Sequence, residues 1–450
     1  MAGIFKAYDI RGTYPDQIDE ETAFRIGYHY REILDADDLA RGPVVVVSRD
    51  MRSHSLPLAE ALKRGLRARR VEVIDVGVAD TPLNYFAIAH LRASGGIQVT
   101  ASHNPAVYNG FKMSRRDAIP VSADTGIAEL ETLVTASRVP TDTAPEAGES
   151  VRDVRDAYIQ HVLGFVSRPD PRLKVAADAA NGMAGVYQPI FQSLGIDLVP
   201  LYFELDGTFP NHEANPLKAE NLVDVRRAVQ ENGCDFGVAF DGDADRAIII
   251  DERGEAISAD KITGLLAPRF LAEEPGAAIV YDLRSSWATK EAIEAAGGRP
   301  VRERVGHSFM KATMRRYDAP FGGELAGHFY YRANSTADSS IITVVEVLNT
   351  LREEGRPLSE LIAPLDRYHA TGEINFEVED KEGMIRHLAD AFSDGEIDDL
   401  DGITVQYDDW WFNVRPSNTE PLLRLVLEAR NRELMDAKKA LLLEHLGEPE

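Results

Sequence analysis

Cysteine is nearly missing from this chain, whose 450 residues include only Cys234. A single thiol excludes an intrachain disulfide, and it also excludes a zinc site built from several cysteines. No segment approaches the roughly 18 apolar residues that a transmembrane helix requires. The opening sequence MAGIFKAYDIRG has no apolar stretch of the kind found in signal peptides. We therefore expect a cytoplasmic protein without a membrane partner.

Positive charge is also in short supply, since 49 Lys and Arg residues face 74 Asp and Glu residues and leave a net charge of −25. Nucleic acids and anionic membranes are bound by basic surfaces, so this balance argues against both partners. An anionic substrate would have to be held by a local cluster of cationic side chains and backbone N–H groups. The length suggests about three domains.

One pattern recurs three times along the chain, at 44–76, 174–200 and 278–301. Each copy has an apolar β-branched run, a polar loop, a helical stretch and a second short strand. Strands that alternate with helices in this way predict βαβ units with parallel strands. Right-handed crossovers then place the loops after the strands along one edge of each sheet.

Residues 373–446 follow a different pattern, with strand-like and helical segments that are typical of an antiparallel α+β domain. We place domain boundaries near residues 148, 254 and 367, which gives domains at 1–148, 149–254, 255–367 and 368–450. The predicted fold class is therefore α/β, with three related domains of mixed, largely parallel sheets and a C-terminal α+β domain.

A serine loop follows the strand-like segment 96–100. Ser102 is a candidate nucleophile, although the Ser, Asn and Pro residues of this loop are equally typical of a turn. His103 is not expected to form a hydrolase triad with Ser102, because neighbouring side chains in an extended segment point in opposite directions.

An acidic loop, DGDADR at 241–246, lies between two apolar runs. Its alternating carboxylates, Asp241, Asp243 and Asp245, can converge on a hard cation such as Mg²⁺ or Ca²⁺. An EF-hand is the competing interpretation. It is disfavoured because Arg246 stands where that loop needs glycine and because the flanks resemble strands rather than helices.

Two further loops carry polar groups. The segment 322–328 offers Glu324 and His328 to sugar hydroxyls, and the segment 415–421 offers Arg415, hydroxyls and backbone N–H groups to a phosphate. Ordinary turns explain both segments equally well. Arg11, predicted to follow a short strand, and Lys112, beyond the serine loop, are each typical of solvated surface groups when taken alone.

Taken together and in this order, the segments resemble the α-D-phosphohexomutase superfamily, within it the phosphomannomutase/phosphoglucomutase family. The matching pieces are YDIRG at 8–12, TASHNP at 100–105, DGDADR at 241–246, GGELAGH at 322–328 and RPSNTEP at 415–421. The resemblance covers nearly the whole chain and implies a heart-shaped protein around a central cleft. It also implies an intramolecular phosphotransferase that interconverts hexose 1-phosphate and hexose 6-phosphate through a phosphoserine and a hexose 1,6-bisphosphate.

The resemblance also implies roles for individual residues. Ser102 matches the phosphoserine, and with Asp241, Asp243 and Asp245 it would complete a Mg²⁺ site. The remaining catalytic group comprises Arg11, His103, Lys112 and Arg246, in which Lys112 and His103 are alternative proton acceptors. The implied substrate-binding residues are Arg284, His307, Glu324, Arg415, Ser417, Asn418 and Thr419.

Small departures from the superfamily pattern bear on the substrate. Ala326 stands where many relatives have serine, which leaves the fine sugar preference open. Ala244 and Asn418 differ from the glycines usual in phosphoglucosamine mutases, so mannose and glucose phosphates are favoured. A phosphoglucosamine mutase, or a non-catalytic sugar-phosphate binding protein of the same fold, is the alternative. We expect a monomer or a small homo-oligomer.

Overall fold

A computed structural model describes residues 3–417 and 422–449. Contacts divide the chain into two compact units. Unit 1 comprises Met1–Ser258 and Ala326–Ser359, and unit 2 comprises Ala259–Leu325 and Glu360–Glu450. Every helix within the described ranges is too short or too polar to cross a bilayer.

The N-terminal sheet of unit 1 is mixed. Its elements are β1 (Ile10–Thr13), α1 (Glu20–Tyr30), α2 (Ala36–Arg41), β2 (Val44–Arg49), α3 (Ser55–Arg67), β3 (Glu72–Val78), α4 (Thr81–His90), β4 (Gly95–Val99), β5 (Tyr108–Arg115), α5 (Ile127–Ala136) and β6 (Glu149–Val151). The strand order is β1-β5-β4-β2-β3-β6. Strand β2 runs parallel to β3 and β4, whereas β5 is antiparallel to β1 and β4.

The second sheet of unit 1 carries the acidic loop. Its elements are α6 (Arg155–Leu163), β7 (Lys174–Asp178), α7 (Gln188–Ser193), β8 (Asp197–Leu201), α8 (Val223–Asn232), β9 (Phe236–Phe240), β10 (Ala247–Asp251) and β11 (Ala256–Ile257). The order is β11-β10-β9-β7-β8, with β7 parallel to β8 and β9. The acidic loop connects the antiparallel strands β9 and β10, which excludes the EF-hand interpretation.

The third βαβ region contributes to both units. Its elements are α9 (Ala259–Glu273), β12 (Ala278–Asp282), α10 (Trp287–Ala295), β13 (Arg299–Glu303), α11 (His307–Tyr317), β14 (Phe321–Gly323), β15 (Phe329–Tyr331), β16 (Ala337–Asp338), α12 (Ser340–Glu354) and α13 (Leu358–Ile362). In unit 2, β12 runs parallel to β13 and to β14. In unit 1, β15 and β16 pair in antiparallel fashion.

The C-terminal part of unit 2 is an antiparallel sheet. Its elements are β17 (His369–Ala370), β18 (Ile374–Glu377), α14 (Lys381–Ala391), β19 (Glu396–Asp398), β20 (Ile403–Gln406), β21 (Trp410–Pro416), β22 (Leu422–Ala429) and α15 (Arg432–Leu446). The order is β17-β22-β21-β20-β19, and β18 also pairs with β22. Buried residues such as Phe376, Phe412 and Leu425 form its core with Leu388 of α14 and Leu442 of α15.

The three predicted βαβ units and the antiparallel C-terminal part are confirmed, as is the α/β fold class. In the second unit the helical stretch consists of a 3₁₀ turn over Met183–Tyr187 followed by α7, and Pro189 lies in the first turn of that α-helix, where proline is tolerated. One local prediction is wrong. Arg11 lies inside β1, opposite Gly110, rather than after a strand. The domain boundaries at 148, 254 and 367 stay predictions.

Helices α1 and α3 approach each other at two glycines. A Cβ atom on Gly27 would lie 2.2 Å from the carbonyl oxygen of Leu62, and one on Gly65 would lie 2.0 Å from that of Phe24. Real Cβ atoms do not come so close to backbone oxygens. The two helices can therefore pack at this distance because neither glycine carries a side chain.

Replacing Gly65 with alanine is expected to lower the free energy of unfolding by about 1–3 kcal/mol, the usual cost of overpacking a core. Thermal unfolding measures the change. Gly264→Ala in α9 is the matched control, because its new methyl group would meet no atom closer than 3.4 Å. Helix propensity should make that control neutral or stabilising. Equal destabilisation by both substitutions would contradict the helix-crossing explanation.

Candidate active site

The serine loop and the acidic loop meet within unit 1. Ser102 is fully buried, and its hydroxyl donates a hydrogen bond of 2.9 Å to Oδ2 of Asp241. Its backbone is left-handed, with φ +52°, and its N–H donates to Oγ1 of Thr100 at 3.0 Å. The candidate nucleophile is therefore within bonding reach of the candidate metal ligands.

Gly242 allows this close approach. A Cβ atom at this position would lie 2.3 Å from the carbonyl oxygen of Ser102. Any side chain would push the acidic loop away from the serine loop. The glycine between the first two aspartates thus keeps Asp241 near Ser102.

The three aspartates are buried, and hydrogen-bond donors of the protein fix two of them. Oδ1 of Asp241 accepts hydrogen bonds from the N–H groups of Asp245 and Arg246, at 3.1 and 3.2 Å. Oδ2 of Asp243 accepts one from the hydroxyl of Thr81 at 2.5 Å. One carboxylate oxygen from each of the three aspartates lies within 4.8 Å of the other two.

This arrangement fits a divalent cation. Oδ1 of Asp243 is buried and accepts no hydrogen bond from the residues that the structure describes, and Oδ1 of Asp245 is contacted by Nε2 of His328 at 3.5 Å. Buried carboxylate oxygens without donors are costly unless a cation or another donor reaches them. Convergent hard oxygen ligands of this kind suit Mg²⁺ or a similar ion.

Lys112 balances the carboxylate charge. Its Nζ donates to Oδ2 of Asp243 at 2.7 Å and also to Oδ2 of Asp245. Burial, followed by the neighbouring carboxylates Asp245 and Asp243, raises the pKa of Asp241. Burial acts in the same direction on Asp245, but Lys112 and His328 outweigh it and hold the pKa of Asp245 well below its usual value.

Antiparallel pairing brings Arg11 to the same site. Arg11 lies opposite Gly110, and Lys112 is two residues farther along β5, so the two cations share a face of the sheet. The Arg11 guanidinium donates to Oδ2 of Asp9 and to Oδ1 of Asn104, both at 2.7 Å. The latter bond ties Arg11 to the serine loop.

His103 contacts the serine beside it, since its Nδ1 lies 3.2 Å from Oγ of Ser102. The expectation that these side chains point in opposite directions is wrong, because the left-handed backbone at Ser102 interrupts the extended segment. Burial, then the cations Arg246, Arg11 and Lys112, lower the pKa of His103 well below its usual value. The imidazole is therefore neutral near pH 7.

Arg246 and His328 also lie beside the acidic loop. The Arg246 Nε donates to Nε2 of His328 at 3.2 Å, and that nitrogen lies 3.5 Å from Oδ1 of Asp245. His328 thus lies beside the acidic cluster of unit 1.

Glu324 belongs to unit 2. Its Oε1 accepts a hydrogen bond of 2.9 Å from the N–H of Gly306, the residue directly before His307 and α11.

A cationic cluster in unit 2 contains two of the predicted substrate-binding residues. Arg415 and Arg284 donate to Oε2 of Glu373 at 2.6 and 3.3 Å, and Arg424 donates to Oε1 at 3.0 Å. Asp282 also pairs with Arg284, at 2.7 Å. Burial alone would raise the pKa of Glu373, but Arg284 and Arg415 outweigh it and lower that pKa.

The loop at 415–421, which is predicted to bind phosphate, is described only in part. Ser417 directly follows β21, and its N–H donates to the carbonyl of Leu422 at 2.8 Å. Asn418 and Thr419, also predicted to bind substrate, lie outside the described residues.

Sequence reasoning missed two residues that support the site. Thr81 begins α4, and its hydroxyl donates to Asp243. In the sequence, the start of this helix is indicated by the capping residue Asp80 followed by Thr-Pro. Arg52 follows β2 and reaches the serine loop. Its signal is its place after a parallel strand, where functional loops gather.

Comparison with protein-family models gives matches along most of the chain. Models of the phosphoglucomutase/phosphomannomutase family match alpha/beta/alpha domain I at residues 2–139, domain II at 156–254, domain III at 258–368 and the C-terminal domain at 373–444. The resemblance predicted from the motifs is thereby confirmed.

Individual relatives span the same length. A protein named "Phosphohexose mutases" from Xanthomonas campestris pv. campestris is 42% identical over 435 residues, which are 95% of each chain. A phosphomannomutase of Escherichia coli is 39% identical over 456 residues, 99% of each chain. A crystal structure of a phosphoglucomutase/phosphomannomutase family protein from Burkholderia thailandensis has a TM-score of 0.90 at 34% identity and covers 100% of this chain and 98% of its own. The chain therefore belongs to the phosphoglucomutase/phosphomannomutase family of phosphohexomutases, which are isomerase-type enzymes.

Proposed function

We propose that this enzyme interconverts the 1- and 6-phosphates of mannose, glucose or both, through phosphorylated Ser102 and a hexose 1,6-bisphosphate. The observation that carries the proposal is the 2.9 Å hydrogen bond between Ser102 and Asp241 beside a buried triple-carboxylate cluster. A serine held there can carry a phosphoryl group next to a divalent cation, which is the arrangement that phosphoryl transfer requires.

In the first half-reaction, the bond between phosphorus and Oγ of Ser102 breaks while a bond to the free hydroxyl oxygen of a hexose phosphate forms. The hydroxyl proton passes to His103, whose imidazole is neutral, because Lys112 is already a cation that donates to Asp243 and Asp245. The bisphosphate then turns over in the site. In the second half-reaction, the bond between its other phosphorus and the sugar oxygen breaks while a bond from that phosphorus to Oγ of Ser102 forms, and the sugar oxygen takes back the proton, which leaves the isomeric monophosphate. The atoms balance over the cycle, and the enzyme ends phosphorylated as it began.

Charge stabilisation is the main contribution of the surrounding residues, because the transition state of phosphoryl transfer spreads negative charge over several oxygens. A Mg²⁺ ion bound by Asp241, Asp243, Asp245 and the phosphoserine would supply concentrated positive charge. Arg11, Lys112 and Arg246 are the cations proposed to contact the transferred group. Arg11 and Lys112 already share a face beside the serine loop.

The cationic cluster of unit 2 is proposed to bind the phosphate that does not react. Arg284, Arg415 and Arg424 surround Glu373, and two of these cations already contact the same carboxylate oxygen. Guanidinium groups held in fixed positions can bind a phosphate dianion through charge-assisted, bidentate hydrogen bonds. Ser417, Asn418 and Thr419 would complete this loop, and Glu324 and His307 would contact sugar hydroxyls.

The sugar preference rests on the names of relatives and on two residues. The Escherichia coli relative is named as a phosphomannomutase. Ala244 and Asn418 argue for mannose and glucose over glucosamine, and Ala326 removes a hydroxyl that many relatives offer to the sugar. Turnover rates on the 1-phosphates of mannose, glucose and glucosamine test this order, and a preference for glucosamine 1-phosphate would reverse it.

Ser102→Ala is expected to abolish nearly all turnover and to remove a phosphoryl group from the intact protein, because no Oγ is left to carry it. Coupled assays and intact-protein mass spectrometry measure the two effects. Ser193→Ala, at an exposed serine of α7, is the control and should retain both activity and any phosphorylation. Full activity of the Ser102 variant would refute the covalent step.

Asp243→Asn is expected to weaken divalent-cation binding by more than roughly 10- to 100-fold. Substitution of a residue that only hydrogen-bonds to a metal ligand already costs that much affinity, and Asp243 would be a ligand itself. Titration with Mn²⁺, followed by electron paramagnetic resonance, measures this affinity without turnover. Asp124→Asn, at an exposed aspartate of the same unit, is the control. Unchanged Mn²⁺ affinity in Asp243→Asn would mean that the carboxylate cluster is not a metal site.

Arg415→Ala is expected to raise KM roughly 10- to 150-fold with a smaller change in kcat. The loss corresponds to a charge-assisted hydrogen bond of about 1.5–3 kcal/mol to a phosphate that stays bound throughout. Steady-state kinetics measure both constants, and Arg432→Ala, at an exposed arginine in the first turn of α15, serves as the control. A KM equal to that of the unmodified enzyme would show that Arg415 does not bind the phosphate.

A further inference from the structure

Arg52 is a fully buried arginine in the polar loop between β2 and α3. One of its terminal nitrogens donates to the carbonyls of Ser102 and Asn104 at 3.0 and 2.7 Å. The other donates to those of Pro105 and Tyr108 at 2.8 and 3.1 Å. The guanidinium therefore holds four carbonyls of the loop that bears the candidate nucleophile.

The guanidinium itself is fixed in place. Its Nε donates to Oδ2 of Asp50 at 3.2 Å, while Oδ1 of Asp50 accepts from the N–H of Arg52 at 3.0 Å. The ring of Phe209 covers it, with 5.0 Å between the guanidinium carbon and the ring centre. Gly207 packs so closely that a Cβ atom there would lie 2.5 Å from Cα of Arg52.

The carbonyl of Ser102 connects these contacts to the acidic loop. It accepts a hydrogen bond from Arg52, and the same oxygen would lie 2.3 Å from a Cβ atom on Gly242. A planar fork of donors fixes the relative positions of the carbonyls that it binds, which a flexible ammonium group does not do. The backbone at Ser102 is thus held between a rigid guanidinium and the loop of the aspartates.

We propose that Arg52 is a positioning residue for phosphoryl transfer, which keeps the backbone of the serine loop in the left-handed turn that directs Oγ of Ser102 at Asp241. This inference rests on the proposed function, since it assigns Arg52 a part in the same reaction. Arg52 acts through the loop and does not touch the reacting atoms. A displacement of a reacting group by about 1 Å costs roughly 100-fold in rate, so such positioning has a measurable effect.

Arg52→Lys tests the proposal, because lysine keeps the positive charge but lacks the planar fork. The matched control is Arg352→Lys in α12. Arg352 is also buried and donates to the backbone carbonyls of Pro171, Arg168 and Leu194, far in sequence from the serine loop. Thermal unfolding reports the stability of each variant, steady-state kinetics report kcat and KM, and hydrogen exchange reports the protection of residues 101–110.

Arg52→Lys is expected to lower kcat roughly 10- to 100-fold with little change in KM, and to speed hydrogen exchange in the 101–110 segment. Arg352→Lys should lower thermal stability while both kcat and exchange in that segment stay unchanged. If Arg52→Lys does not fold, Asp50→Asn removes the carboxylate that holds the guanidinium and should change kcat and exchange in the same direction.

The proposal would be overturned if a folded Arg52→Lys or Asp50→Asn enzyme had the kcat and the hydrogen exchange of the unmodified enzyme. It would also be overturned if Arg352→Lys lowered kcat as much as Arg52→Lys does. Failure of the proposed function gives a different result, because the unmodified enzyme would then show neither mutase turnover nor phosphorylated Ser102. The two failures are therefore distinguishable in the same set of measurements.

Discussion

The hydrogen bond between Ser102 and Asp241 joins two loops that are 139 residues apart in the chain. It needs a left-handed backbone at the serine, a glycine at 242 and carboxylates turned toward one another. None of these features stabilises an isolated loop. They become compatible because the parallel strands of two sheets end where the loops begin, and the rest of unit 1 holds those strands in place.

Local charge explains how so acidic a chain can act on an anion. The net charge of −25 would repel a sugar phosphate from much of the surface. Around Ser102, however, Arg11, Lys112 and Arg246 accompany the aspartates, and in unit 2 three arginines meet at Glu373. In both clusters carboxylates hold the cations in fixed positions. Preorganised charge of this kind stabilises a transition state without reorganisation during the reaction.

Much of the fold follows from patterns that the sequence displays. Apolar runs separated by helical stretches predict β2-α3-β3, β7-α7-β8 and β12-α10-β13, and each pair of strands is parallel. The acidic loop and the serine loop are also visible as motifs. Their meeting is implied by the family resemblance, because single-sequence patterns carry no information on contacts between distant loops.

Other features have no periodic signal. Gly65 in α3 is a weak helix former in the sequence, yet its missing side chain permits the crossing with α1. The place of Arg52 after a parallel strand is its one signal in the sequence, and it does not show that four carbonyls will surround the guanidinium. The contact between Ser102 and His103 depends on a left-handed residue where extended backbone is the default expectation.

The most direct test of the central claim is a chase experiment with hexose 1,6-bisphosphate carrying labelled phosphoryl groups. The dephosphorylated enzyme is loaded with this compound, the labelled peptide is mapped, and unlabelled mannose 1-phosphate is then added. We predict that the label resides on Ser102 and leaves it at a rate no slower than turnover. Label on another residue, or label on Ser102 that the sugar phosphate does not remove, would contradict the account.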